Sequence, residues 1–89
     1  MTNLVFINIG QDNIVSVNNI VTISNVDSAP IKRIMQEAKS KGTCIDCTRG
    51  KKIKSVIITT TGSIILSAIQ PQTLLARIEK KTNMEDETE

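Results

Sequence analysis

Arg49-Gly50-Lys51-Lys52-Ile53-Lys54 puts four cationic side chains around one glycine within six residues, with no acid among them. Fixed cations at that density suit the phosphates of a polyanion such as DNA. The competing reading is a solvated turn, because short basic runs are common and nonspecific. Lysine meets a phosphate as a point charge, whereas arginine is the better bidentate reader of guanine. Lys51, Lys52 and Lys54 are therefore suited to backbone contact, with Lys32 and Arg33 on a predicted helix as the next cationic candidates.

Cys44-Ile45-Asp46-Cys47 is a CxxC. A redox CxxC works at a helix N-terminus, where the dipole lowers the thiol pKa. Here the motif follows a predicted helix and falls in a predicted strand. At i and i+3 in a strand the two side chains point to opposite faces, which opposes an intramolecular disulfide. A tetrahedral zinc site needs four ligands, and one chain supplies two thiols and no histidine. Two subunits together could supply four, so an intersubunit site on Cys44 and Cys47 is the alternative to a pair of buried thiols acting as small apolar residues.

The absence of histidine removes the usual general base near neutral pH and every Ser-His or Cys-His arrangement. Asp12, Asp27, Glu37, Asp46 and Glu79 are scattered among different elements without forming a pair, and no phosphate-cradling glycine motif occurs. The expectation is a protein that is not an enzyme and needs no cofactor.

The elements that must carry the cations follow from periodicity. Residues 4–9 are apolar at nearly every position and end at Gly10, which predicts a buried strand, central or covered by a neighbouring subunit. Gln11-Asp12-Asn13 turns the chain into a second short strand, 14–17, and Asn18-Asn19 turns it into a third over 20–24. Asp27 or Ser28 can cap a helix entered at Pro30. Its buried face is Ile31, Ile34, Met35 and Ala38, and Gly42 is its stop. Residues 43–48 and 54–60 are predicted as a hairpin with the basic run at its tip, where glycine permits the positive φ of a tight turn. Thr61-Gly62 leads to a strand over 63–68, and Pro71 starts a second helix with Leu74, Leu75 and Ile78 as its buried stripe. The order β-β-β-α-β-β-β-α is that of a small single α+β domain with mainly antiparallel strands.

Eighty-nine residues fit one domain near the lower limit of what a core stabilises unaided. Phe6 is the single aromatic, so the core must be aliphatic, and a small domain without large aromatic anchors often gains stability by self-association. The four acids Glu85, Asp86, Glu87 and Glu89 mask the charge of the body; without them the formal charge rises from +2 to +6. Residues 1–81 therefore read as a basic domain and 82–89 as an acidic, disordered tail. No apolar run is long enough to span a membrane, and Met1-Thr2-Asn3 lacks the basic flank of a secretory signal, so a cytoplasmic protein is expected. Single-strand and RNA modules stack bases on aromatics; with Phe6 expected in the core, duplex DNA is the expected partner.

Several runs taken together carry a resemblance: Ile7-Asn8-Ile9-Gly10, Asn13-Ile14-Val15-Ser16, Ser28-Ala29-Pro30-Ile31-Lys32-Arg33, Gln36-Glu37-Ala38, Ile45-Asp46, and Ile65-Leu66-Ser67-Ala68 with Gln70-Pro71. In register from residue 4 to 78, the chain resembles the bacterial RemA family of small regulators of extracellular-matrix (biofilm) genes. The resemblance implies a nucleoid-associated, DNA-binding transcription regulator that assembles into a ring-like homo-oligomer and displays one basic surface many times; the sequence itself shows no pocket for a small-molecule effector. It also implies that a family pair of DNA-contacting arginines falls at Lys51 and Lys52, keeping charge and losing the guanidinium fork. A further family arginine falls at Asn19. Arg49 stands where the family has an aromatic, and Cys44 and Cys47 where it has apolar residues. Two other classes remain beside it: an RNA-binding or structural ring, and a zinc- or redox-linked module using intersubunit cysteines.

Overall fold

Eight regular elements follow one another in the expected order in a computed structural model, which describes residues 4–87, with side chains through Lys81. They are β1 (Phe6–Gly10), β2 (Asn13–Ser16), β3 (Ile20–Asn25), α1 (Ala29–Lys41), β4 (Cys44–Asp46), β5 (Ser55–Thr59), β6 (Ile64–Ser67) and α2 (Pro71–Glu87), with a 3-10 turn at Val17–Asn19 between β2 and β3. Most of the tail expected at 82–89 shares its backbone with α2, and its side chains lie outside the described residues.

The strands form two sheets. β1 and β2 are an antiparallel hairpin; β3, β5, β6 and β4 form a four-stranded sheet in that spatial order. β5 is antiparallel to both β3 and β6, and β4 is parallel to β6. One face of the sheet meets α1: Ala38, Val56, Ile64 and Leu66 are buried there, with Ile31, Ile34 and Met35 of the predicted helical stripe packed against them. The opposite face meets the hairpin and α2, where Ile7, Ile9, Ile57 and Leu74 are buried. Burial on both faces explains why Val56-Ile57-Ile58 and Ile64-Ile65-Leu66 read as continuous apolar runs without alternation.

Local chemistry sets the helix ends. Ser28 is the N-cap of α1, its Oγ accepting from the Ile31 N–H at 3.3 Å, with Pro30 in the first turn. Gly42 ends the helix in the left-handed region, and the Thr43 N–H donates to the Ala38 carbonyl at 2.9 Å.

Four expectations need correction. The strands on either side of the basic run do not pair: β6 lies between β4 and β5, so 47–54 is a crossover and not a hairpin tip. The strand expected over 43–48 pairs only at Cys44–Asp46. β1 is not central: it pairs with β2 alone and within one chain is buried on one face, with Leu4 and Phe6 facing outwards and Phe6 43% exposed. In α2 the buried face is Leu74 with half-buried Ile78, one turn apart, while Leu75 on the flank is 52% exposed.

Hydroxyl groups tie the two sheets together. Ser67 Oγ donates to the Ile9 carbonyl of the hairpin at 2.8 Å and accepts from the Ile69 N–H at 3.1 Å. Ser55 Oγ donates to the Ile69 carbonyl. Ser55 and Ser67 are fully buried and face each other across the β5–β6 ladder, so these bonds satisfy groups that burial would otherwise penalise.

Candidate nucleic-acid interface

β4 and β5 both border β6, so the connection between them must cross about two strand spacings, roughly 10 Å. It crosses at the C-terminal end of β6 and is fastened there at both ends. The Cys47 N–H donates to the Leu66 carbonyl at 3.0 Å, and the Lys54 N–H donates to the Ser67 carbonyl at 2.9 Å. Ile53 points inwards against the α1-side core and pins the loop between its cations.

A second set of bonds shapes the tip. The Asp46 carboxylate accepts from the Thr48 N–H at 2.9 Å and from the Thr48 hydroxyl at 2.6 Å. Thr48 is itself buried, at 1% exposure, and its carbonyl accepts from the Lys51 N–H at 3.1 Å. Between them Arg49 and Gly50 have φ of 52° and 83°, the sign pattern of a type I′ turn. The predicted tight turn is present; only its strand partners differ. The two bonds from Thr48 hold the Asp46 carboxyl below its usual range.

Arg49, Lys51, Lys52 and Lys54 are all exposed on this loop, and no acid occurs in the chain between Asp46 and Glu79. Lys52, Ile53 and Lys54 form one wall of an open groove of about 380 Å³ whose other walls are Asn25-Val26-Asp27 and Gln70-Pro71-Gln72 at the start of α2. The structure therefore joins the basic loop to two segments that sequence reasoning did not connect with it. The missed signal is Val26, which packs in the same core cluster as Ile53. Lys32 and Arg33 are exposed on the first turn of α1, immediately after that segment. A helix start carrying Lys32 and Arg33 and no acid runs against the usual dipole preference.

The predicted positions of the thiols hold. Cys44 packs with the α1-side core and Cys47 with the hairpin-side core, on opposite faces of the sheet. Burial raises both thiol pKa values, and the neighbouring Asp46 raises them further; Lys39 partly opposes the shift at Cys44. Both environments suit small apolar groups and disfavour the thiolate that metal binding or redox chemistry uses.

Further cations lie away from the loop. Lys80 and Lys81 are exposed on α2, whereas Arg77 is half-buried and donates through its guanidinium to the Asn8 carbonyl at 2.6 Å. That bond ties α2 to β1 and makes Arg77 structural. No described helix is long and apolar enough to cross a membrane.

The RemA-like family model, described as extracellular matrix regulatory protein A-like, matches residues 6–78, which includes both sheets and the whole basic loop. The chain belongs to the RemA-like family. Its relatives match over nearly their full lengths. A Carboxydothermus hydrogenoformans protein named "Putative regulatory protein" is 51% identical over 81 residues, 91% of this chain and 93% of its own. Proteins of the same name from Alkaliphilus oremlandii and Clostridium botulinum are 50% and 51% identical over 80 residues, 90% of this chain and 86% and 88% of their own. The family and these names indicate a regulatory protein rather than an enzyme.

Proposed function

We propose that this RemA-like protein is a cytoplasmic, nucleoid-associated transcription regulator of extracellular-matrix genes that binds duplex DNA through the 49–54 loop. The observation that carries this reading is the loop itself: four exposed cations on a crossover fastened at both ends. A pre-shaped loop gives up little conformational freedom when its lysines meet phosphates. Contact is dominated by the DNA backbone and DNA shape, because Lys51 and Lys52 lack the fork that reads guanine. Lys32 and Arg33, exposed near the start of α1, are the next cations assigned to DNA contact.

The loop acts in a homo-oligomeric ring, where repetition multiplies a weak patch by avidity. Self-association is supported by two exposed apolar patches. Leu4, Phe6 and Ile14 lie on the uncovered face of the hairpin; Val21 and Leu75 line an apolar groove with Ile20, Ile23 and Pro71. Patches that differ in shape and place favour a head-to-tail contact, which gives a ring when the rotation between subunits closes and a filament when it does not.

Duplex binding by wild type and Lys51→Ala/Lys52→Ala across a salt series, with oligomer mass measured for each, tests the reading. Steep salt dependence in wild type, with binding lost by an intact mutant oligomer, supports it. No duplex binding by wild type at low salt overturns it. Phe6 gives one observation to a second reading, an RNA-binding ring, since its exposed ring is free to stack on a base. A preference for single-stranded RNA that Phe6→Ala abolishes would favour that reading.

A further inference from the structure

Asp46 is an acid at the foot of a cationic loop, where its charge would oppose an approaching polyanion. It does not neutralise a loop cation. Its carboxylate accepts instead from Thr48 twice, at 2.9 and 2.6 Å, and the Thr48 carbonyl in turn accepts from the Lys51 N–H to close the Arg49-Gly50 turn. The chain of contacts runs from the end of β4 through a buried threonine to the first of the two adjacent lysines. Arg49 is held at a φ of 52°, which a side-chain-bearing residue adopts at a cost, so the turn needs something to maintain it.

We propose that Asp46 and Thr48 are positioning residues for DNA binding: together they hold the Arg49-Gly50 turn so that Arg49, Lys51 and Lys52 meet the phosphates as one fixed set. The inference rests on the duplex-DNA reading above. Its sign separates it from simple electrostatics. Removing a negative charge beside the loop should tighten DNA binding by Coulomb's law alone. Removing a positioning group should loosen binding, because the cations must then be ordered during association.

The test uses the full chain as the native oligomer, with Asp46→Asn, Thr48→Val and Thr48→Ser, a generic duplex as probe, and mass and circular dichroism confirming each assembly. Asp46→Asn keeps shape and loses charge, and Thr48→Val keeps volume and charge and loses the hydroxyl. Both should bind about tenfold more weakly, because Asp46→Asn turns two charge-assisted hydrogen bonds from Thr48 into neutral ones and Thr48→Val loses one of them outright, while Thr48→Ser stays within about twofold of wild type. Hydrogen exchange at the Lys51 amide, measured without DNA, should be about tenfold faster in the two weak binders. Tighter or unchanged binding by Asp46→Asn and Thr48→Val overturns the positioning role. Unchanged Lys51 exchange overturns the anchor itself. If wild type binds no duplex, the DNA reading falls and the positioning role falls with it. The exchange measurement then still decides whether Asp46 and Thr48 shape the loop. Should Asp46→Asn fail to assemble, Thr48→Val, which changes no charge, decides alone.

Discussion

Two turns in this molecule share a backbone and differ in everything else. Gln11-Asp12 and Arg49-Gly50 each place two successive residues at positive φ, at 54° and 66° in the first and 52° and 83° in the second. The first closes a two-residue hairpin, with Gly10 opposite Asn13 and the Asn13 side-chain amide donating to the Gly10 and Gln11 carbonyls at 3.2 and 3.1 Å. The strands beside it form a ladder, so the turn is held by pairing. The second has no ladder beneath it, because β6 occupies the space between its flanking strands. It is held by Asp46, Thr48 and two bonds to the end of β6. A tight turn therefore identifies a local backbone shape and leaves open which strands it joins.

The largest break in this comparison comes from beneath the second turn. Leu66→Ala empties a fully buried position on the strand whose carbonyl holds the Cys47 N–H. It should cost about 2–5 kcal/mol in denaturant titration, with the loop loosened as a consequence. Glycine substitutions come next and should rank the turns. Gly10 has a φ of 103°, and an added Cβ would sit 3.1 Å from Ile69 Cδ1, so Gly10→Ala should cost about 2 kcal/mol in thermal or chemical melts. Gly50 has a φ of 83° with open space around it, so Gly50→Ala should cost only about 1 kcal/mol from backbone strain. Equal losses would mean that contact with Ile69 contributes nothing.

A smaller change separates shape from charge. Asn tolerates the left-handed region better than Arg, so Arg49→Asn should leave stability within about 0.5 kcal/mol of wild type. The same variant should reduce the slope of log affinity against log salt by about one in DNA titrations. The smallest effect is one of pH. Because the folded carboxyl of Asp46 lies below its unfolded value, its stabilisation is complete above about pH 4 and disappears as pH falls through the lowered value. Protection of the Lys51 amide should therefore hold from neutral pH to about pH 4 and decline only below it.

What could be read from the residues follows the same division. α1 was legible because Ile31, Ile34, Met35 and Ala38 repeat at helical spacing between Ser28 and Gly42, all local signals. β5 and β6 were legible as strands from their branched apolar runs, while the expected hairpin paired β5 with β4 instead of β6. The parallel pairing of β4 with β6 was not, because it joins residues twenty apart, as Cys44 with Ile64, and no local pattern records it. A short link between antiparallel strands favours a hairpin by default; an eight-residue link is long enough to step over a strand. At the candidate site, the cations and the left-handed glycine were plain in the sequence. The anchoring role of Asp46 was not, since an Asp two residues before a Thr gains meaning only when the threonine is buried. Phe6 and Leu75 were misplaced for a related reason. Apolar character marks residues able to be covered, and which face receives a covering layer is decided by the whole assembly of elements.

The crossover at the end of β6 also bears on how such a protein can diversify. A cation in a strand cannot be exchanged freely, because a register slip would move every neighbour to the other face. Residues 49–52 lie outside every ladder, between fixed attachment points at Cys47 and Ile53-Lys54. The side chains at 49, 51 and 52 can be swapped, arginine for lysine or aromatic for arginine, while the sheet below keeps its alignment. The scaffold thus leaves a small tip whose charge can change at little cost to the sheet, Gly50 excepted.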